Sequence, residues 1–471
     1  MKTKHGIDRR DFLNYSFKSL AAGVGTYPLL CATAALNEGG PLAPRPGHFP
    51  AKAKRLLIIY LTGGVSHVDL FDPKPKLREL DGKVIEVPSS IPLSKEMQKH
   101  PVLAPPWDFK PGGKSGVMMS DLLPAFRERV DDLCVIRTMH TDLVEHFQAT
   151  LAMSTGSATL PLPSMGAWIS YGIGTENQNL PSFVVLCEEP PYAGAQVWGA
   201  GFLPPVHQGT RITPGDDPVP NLRPPARDTT LAEMEAMLIR DTNDLHAAAR
   251  PDDLDLKARI ESFQTARGMM RVAPEIFDTG KESPKTLELY GVIPGDTKSF
   301  GYQCLMSRRF LERGVRVVEL IESGSDGDAN WDAHSNIRKQ ITRKTERIDA
   351  PLAALLTDLK QRAMLQDTLV AICTEFGRTP WTNAAGDWGR HHWGKAFTCM
   401  LAGGGVKGGL AYGETDELGA TIAERGVHVH DLHATILHLM GLDHTRLIYR
   451  YAGRDFRLTD VSGTVVRDIL A

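Results

Sequence analysis

The chain has 471 residues, of which 42% are hydrophobic and 23% charged, and its formal net charge is −3. That size and balance fit one large globular domain or a few smaller ones and exclude a disordered or fibrous chain. A charge this close to neutral gives no electrostatic case for nucleic acid or an anionic membrane as partner.

The N-terminus carries Lys2, Lys4, Arg9 and Arg10. Arg9-Arg10-Asp11-Phe12-Leu13 has the form of a twin-arginine export signal, and 20–36 is the weakly apolar segment behind it. Ala32-Thr33-Ala34 offers a small-residue cleavage site. Gly23, Gly25 and Pro28 make the segment too weakly apolar for a membrane span. A signal peptide is therefore expected at 1–36, with export to the periplasm or cell exterior and no stable membrane span after cleavage. A Pro- and Gly-rich linker is expected at 37–50 and one α/β domain at 51–471. Cys31 falls inside the signal and lacks the small preceding residue of a lipidated cysteine. Five cysteines remain, an odd and dispersed set: Cys134, Cys187, Cys304, Cys373 and Cys399. This is neither a disulfide framework nor a thiolate zinc site.

In chain order, the apolar runs predict strands at 56–61, 133–137, 183–187, 315–321, 368–373 and 397–402. Helical spacing predicts helices at 121–129, 144–153, 229–248, 254–267, 299–313, 337–363 and 431–440. Residues 188–226, with many Pro, Gly and aromatic residues, read as an ordered irregular excursion that could serve as a lid. No internal repeat is visible. The alternation predicts an α/β fold, a doubly wound and mainly parallel sheet with helices on both faces. In such folds ligands bind beyond the carboxyl ends of the strands.

Four loops carry chemistry. After the first strand come Gly63-Gly64 and then Ser66, His67, Asp69 and Asp72. A serine beside a histidine invites a hydrolase reading, but Val68 breaks the G-x-S-x-G elbow and neighbours on an extended loop point apart. His67 is the better acid/base or metal ligand, and Ser66 reads equally well as a loop cap. After the fourth strand, Asn330-Trp331-Asp332-Ala333-His334 places a carboxylate and an imidazole two apart, near Glu322, Asp326 and Asp328. Such a pair suits Zn, Mn or Fe; the plainer role for Asp332 or Asn330 is to cap the following helix. After the fifth strand, Glu375 precedes Arg378 by three residues, which suits a metal or oxyanion site or an internal ion pair. Arg390-His391-His392-Trp393 stands just before the sixth strand, where one histidine can ligate and the other support it.

Two patterns are set aside. Residues 403–408 match G-x-G-x-x-G, but Gly409 and Gly413 leave no helix behind them. His428, His430, His433 and His438 fall at a helix start where they read as structural, since His433 and His438 lie on different faces.

The strand and the run Gly63-Gly64-Val65-Ser66-His67-Val68-Asp69-Leu70-Phe71-Asp72-Pro73-Lys74-Pro75 resemble the exported bacterial proteins of the domain of unknown function 1501 family. So do Pro163-Ser164-Met165-Gly166, Trp331-Asp332-Ala333-His334, Glu375-Phe376-Gly377-Arg378-Thr379-Pro380, His391-His392-Trp393 and Gly453-Arg454-Asp455-Phe456. The resemblance spans about 50–470. That family is similar to a remote branch of the alkaline phosphatase–sulfatase superfamily. The resemblance implies an alkaline phosphatase-like domain with divalent metal held by Asp and His, cleaving phosphate or sulfate esters. Counting back from Thr155-Gly156 to the place of a sulfatase nucleophile reaches His146, beside Glu145. Gly63-Gly64 stand where sulfatases carry paired acids, and Glu375-Phe376 stand in place of an Asp-His pair.

The leading expectation is an exported hydrolase of sulfate or phosphate esters, its substrate a small anionic ester or a sulfated glycan. A divalent metal ion (Zn, Mn or Ca) would be held by some of Asp332, His334, Glu375, His391 and His392. Arg378, Arg390 and Glu145 would contact substrate, Arg378 at the oxyanion. His67, His146 or Ser66 would act as nucleophile or acid/base. The alternative is a non-catalytic exported binding protein that keeps the fold.

Overall fold

The computed structural model describes residues 42–90, 94–220, 222, 229–323, 330–383 and 388–471. The chain divides into two units, Met1–Gly40 and Pro41–Ala471. The export signal, its cleavage site, the start of the 37–50 stretch, and Asp326 and Asp328 lie outside the described residues.

Among the described residues, nine strands form the central sheet: β1 (Arg55–Leu61), β2 (Leu133–His140), β3 (Phe183–Cys187), β4 (Thr210–Ile212), β5 (Val317–Glu322), β6 (Thr368–Cys373), β7 (Phe397–Ala402), β8 (Leu410–Tyr412) and β9 (Val427–His428). Their order is β8-β2-β7-β6-β1-β5-β3-β4, with β9 also on β2. All pairs are parallel except those of β7, which runs against both β6 and β2. The expected mainly parallel sheet is thus present. Its central strands are buried on both faces, which is why they read as unbroken apolar runs.

Helices cover both faces: α1 (His146–Thr155), α2 (Met165–Ile173), α3 (Thr229–Ala248), α4 (Leu254–Phe277), α5 (Phe300–Glu312), α6 (Ile337–Gln361) and α7 (Val429–Leu439). Leu57 and Ile59 of β1 share a core with Ala273 of α4, Leu305 of α5 and Leu352 of α6. Leu56, Ile58 and Tyr60 face the other way, toward Leu151 of α1, Trp168 of α2 and Ile436 of α7. The period-2 alternation of β1 divides these two cores.

Four details depart from expectation. The helix expected at 121–129 is only Pro124–Arg127, because the Asp349 carboxylate takes the Ala125 and Phe126 amides at 3.0 and 2.8 Å. The helix α4 runs ten residues beyond Arg267, through Pro274, held down by buried Ala273 and Ile276. The excursion at 188–226 contributes β4 to the sheet edge. Residues 42–50 of the expected linker pack on the fold: Leu42 and Ala43 are buried, and His48 N donates to Gly441 O at 2.8 Å. Pro and Gly there order an irregular path. The five cysteines of the described residues are free and buried. No helix among the described residues is long and apolar enough to cross a membrane.

Candidate metal centre

β1 ends at Leu61, and the chain leaves it through Gly63 (φ +113°) and Gly64 (φ +76°), a backbone that favours glycine. Space is short as well. A Cβ on Gly63 would lie 2.5 Å from the Trp331 nitrogen, and one on Gly64 2.7 Å from the Phe376 ring. This close approach lets Arg378 donate to both glycine carbonyls, to Gly64 O at 2.8 Å. Gly63 N donates to Glu375 Oε1 at 2.8 Å. The loop after β5 is tied beside it, since Trp331 N donates to Thr62 O at 2.7 Å. The parallel strands β1, β5 and β6 thus deliver their C-terminal loops to one place, as doubly wound sheets do.

Four donors converge there. His146 is the first residue of α1, and its Nε2 lies 3.2 Å from Asp332 Oδ1. His334 Nε2 is 2.9 Å from the same oxygen and 3.0 Å from His392 Nε2. His392 Nε2 is 3.3 Å from Asp332 Oδ1. Among the described residues, His146, Asp332 and His392 form the group whose ligand atoms all fall within 4.8 Å of one another. A tetrahedral site with metal–ligand bonds near 2.0 Å has edges of about 3.3 Å, close to these separations.

The far side of each ring fixes its tautomer. His392 Nδ1 lies 2.7 Å from Val144 O, which can only accept, so Nδ1 carries a proton. His146 Nδ1 lies 2.7 Å from Glu375 Oε1. Both rings, when neutral, therefore aim an Nε2 lone pair at a carboxylate, an arrangement that needs a proton or a cation between them. His146 Nε2 is buried and makes no aligned hydrogen bond. The donor set thus fits a divalent cation.

The electrostatics agree. Burial acts to raise the Asp332 pKa, but His146, His392 and the Arg378 guanidinium (Nη2 to Oδ1 2.5 Å) hold it well below the usual carboxylate range. Burial acts to lower His146, and Asp332 and Glu375 outweigh it and raise the pKa. Burial, with Arg378, His392 and His391, outweighs Asp332 and holds His334 down at about 4.

Of the residues singled out in the sequence, His146, Asp332, His334, Glu375, Arg378 and His392 meet, at different depths. Glu375 is fully buried behind His146, and its second oxygen accepts from Tyr60 and Thr374, each at 3.2 Å. That corrects its expected place among the metal ligands: no lone pair is left for an ion. Arg378 is 1% exposed, with its donors taken by Gly63 O, Gly64 O, Arg390 O and Asp332, so it braces the centre rather than offering a free fork.

The others stand apart. Ser66 Oγ donates to Asp69 Oδ2 at 2.5 Å. His67 is fully buried, with Nε2 2.8 Å from Gly419 O. Arg390 spends its fork on Asp69 at 2.7 and 2.8 Å. Glu145 is exposed ahead of α1. His391 stands beside His334, with ring centroids 5.2 Å apart, and its Nδ1 is 3.5 Å from Asn383 Nδ2. Asp332 does not cap α6; Asn336 holds that position.

Two residues were missed. Tyr192 stacks on His146 at 4.1 Å, and its hydroxyl is 3.4 Å from Asp332 Oδ2 and 2.8 Å from Asn330 Nδ2. Tyr60 braces Glu375 from the sheet. The aromatic content of 188–226 was the one available sign of Tyr192. The set-aside patterns behave as read: no helix follows residues 403–408, and His433 Nε2 is 2.7 Å from Met153 O.

A family model described as "Protein of unknown function (DUF1501)" matches residues 53–470. No curated protein matches the chain. Among solved structures, the lipoteichoic acid synthase LtaP from Listeria monocytogenes is similar over 88% of this chain and 78% of that chain, at 9% identity and TM-score 0.32. The alkaline phosphatase from the Antarctic bacterium TAB5 is similar over 83% and 98%, at 11% and 0.32. The PsFucS1 sulfatase from Pseudoalteromonas sp. is similar over 83% and 68%, at 11% and 0.32. Likenesses this remote leave function to the chain's own geometry.

Proposed function

This chain belongs to the DUF1501 family, and from its cluster of histidines around Asp332 we propose that it is an exported, metal-dependent hydrolase of sulfate or phosphate esters. What carries the proposal is the meeting of His146, Asp332 and His392 with their ligand atoms within 4.8 Å, next to His334. Three imidazoles and a carboxylate suit Zn or Mn; Ca, which takes oxygen ligands, fits them poorly. When bound, the metal supplies Lewis-acid polarisation of the ester oxygen and a water of lowered pKa.

The chain's own residues prepare that chemistry. Glu375, braced by Tyr60 and Thr374, orients His146 and raises its basicity at Nε2. Val144 O does the same for His392. Arg378 keeps Asp332 ionised. Tyr192 covers one face of His146, and its hydroxyl reaches Asp332 Oδ2 at 3.4 Å. The substrate would be a small anionic ester or one carried on a glycan. Export would follow from the Arg9-Arg10 segment, with 1–36 removed and 51–471 forming the domain.

Elemental analysis of the purified protein, run beside turnover of aryl sulfate and aryl phosphate, tests this. About one equivalent of Zn or Mn is expected, with metal and turnover both lost in Asp332→Ala and His392→Ala. One observation favours the second reading, a non-catalytic binding protein. Arg378 already balances Asp332 at 2.5 Å, so the carboxylate does not depend on a metal for a counter-charge. Protein without stoichiometric metal and without turnover of either ester would establish that reading instead.

A further inference from the structure

We propose a second binding site, an anion subsite for a sulfate- or phosphate-sized group, built around Lys395 on the flank of the candidate metal centre. It goes beyond the hydrolase reading and holds whether or not the centre takes a metal. A cavity of about 170 Å³ is lined by Ser90, His140, Thr141, Asp142, Val144 and Lys395, among others. One water needs about 10–15 Å³ of such space, so the cavity holds several waters. That is room for a tetrahedral oxyanion.

The chemistry of the lining selects the charge. Lys395 Nζ donates to Ser89 O at 2.8 Å and stands 5.5 Å from the Trp393 ring centroid. An ammonium has three donors, so two remain. Among the described residues no carboxylate lies within ion-pairing distance of Lys395. Burial pulls its pKa down, as expected for a cation with no counter-charge. Thr141 and Ser90 add hydroxyl donors, and His140 an imidazole. The cavity's carboxylate, Asp142, is 80% exposed at its side chain and turned to His428 Nε2 at 3.5 Å. The two arginines nearest the centre are already committed, Arg378 to carbonyls and Asp332, Arg390 to Asp69. Lys395 therefore holds the unspent positive charge.

The cavity is wired to the centre. Val144 lines it, and its carbonyl holds His392 Nδ1 at 2.7 Å. Thr141 N donates to Gly394 O at 2.8 Å, fixing the segment just after His392. An anion on Lys395 would press on the strand that aims a ligand.

Calorimetric titration of the full chain at low ionic strength tests the subsite, with inorganic sulfate and glucose 6-sulfate as probes. Saturable binding is expected for both. Lys395→Gln should weaken it about tenfold or more, the effect of losing a charge-assisted hydrogen bond, while Lys395→Arg stays within about threefold of the parent. Asp332→Asn should retain the sulfate binding that depends on Lys395. A preference for glucose 6-sulfate would assign the site to an anionic group carried on a larger molecule, and equal affinity to the free oxyanion; both support it. The proposal is overturned if neither probe saturates, if Lys395→Gln binds as the parent does, or if Asp332→Asn removes the binding, which would place the anion on the metal centre. Melting curves for each variant separate loss of binding from loss of fold.

Discussion

Glu375 touches four groups, Gly63 N, His146, Tyr60 and Thr374, and so governs the centre without facing it. Replacing it by Gln removes the charge that holds His146 Nδ1–H. Support of this kind is worth about 10–100-fold in metal affinity, so Glu375→Gln should lose metal to a competing chelator at that much lower chelator concentration. An unchanged chelator midpoint would show that His146 is not a ligand held from behind. Gly64 is a different case, where backbone geometry matters and chemistry does not. Its φ is +76°, and a Cβ at this position would stand 2.7 Å from the Phe376 ring, so Gly64→Ala is costly twice over. A loss of about 1–3 kcal/mol is expected, read as a lower denaturant midpoint with an unchanged slope. A neutral result would mean that the turn can be relaxed cheaply.

At the scale of elements, the joint to test is the one between the turn after β1 and the loop before β7. Asp69 and Arg390 are both buried, and Ser66 Oγ completes the carboxylate's contacts. Gly377–Arg378 and His392–Trp393 form a two-stranded ribbon whose register sets Arg378 opposite His392. The ion pair therefore anchors the ribbon that carries one ligand and one brace. Asp69→Ala leaves Arg390 buried and uncompensated, which costs about 3–5 kcal/mol. Asp69→Ala combined with Arg390→Met removes both charges and should recover most of that loss. Equal destabilisation in the single and double variants would show that packing, and not the uncompensated charge, is responsible.

For the whole molecule, buried titratable groups set the pH range of stability. Glu319 lies mid-strand in β5, and burial pushes its carboxyl up to about 8. It borders a cavity of about 20 Å³ with Tyr60, Cys373 and His433, room for one water. The folded state keeps this proton where the unfolded chain has lost it, so stability falls as pH rises toward 8. His207 and His433 are held down to about 3 by burial. The unfolded chain protonates both below 6.5 while the folded state does not, so stability falls on acidification too. Between about 4.5 and 6.5 the two histidines outweigh Glu319 by one proton. These three groups thus predict a maximum near pH 6.5, with a slope of about 1.4 kcal/mol per pH unit on either side. Melting temperatures across about pH 5–9 would check it. Glu319→Gln should flatten the alkaline limb and steepen the acid limb to about 2.7 kcal/mol per pH unit, since the two histidines then act unopposed. An alkaline limb unchanged in that variant would remove Glu319 as its cause.

The sequence by itself determined six of the nine strands of the sheet and the loops that bear its chemistry; the three short edge strands, Thr210–Ile212, Leu410–Tyr412 and Val427–His428, escaped it. A strand buried on both faces must be apolar throughout, and polar side chains packed after such a run have few uses besides a site. It also pointed to His146 through Thr155-Gly156, to the Asp332–His334 pair and to the Arg390–Trp393 run. Depth and direction were decided by tertiary structure alone. His391 and His392 both stand beside His334, and the ribbon that sets His392 opposite Arg378 chose which of the two meets Asp332. Glu375 became a support, and Arg378 a brace, because the Gly63-Gly64 turn closes on them. Tyr192, Asp69 and Lys395 matter only through partners remote in the chain or through a cavity that folding creates. Local pattern records which face of an element is buried; which distant group a polar side chain finds there is fixed only when the elements pack.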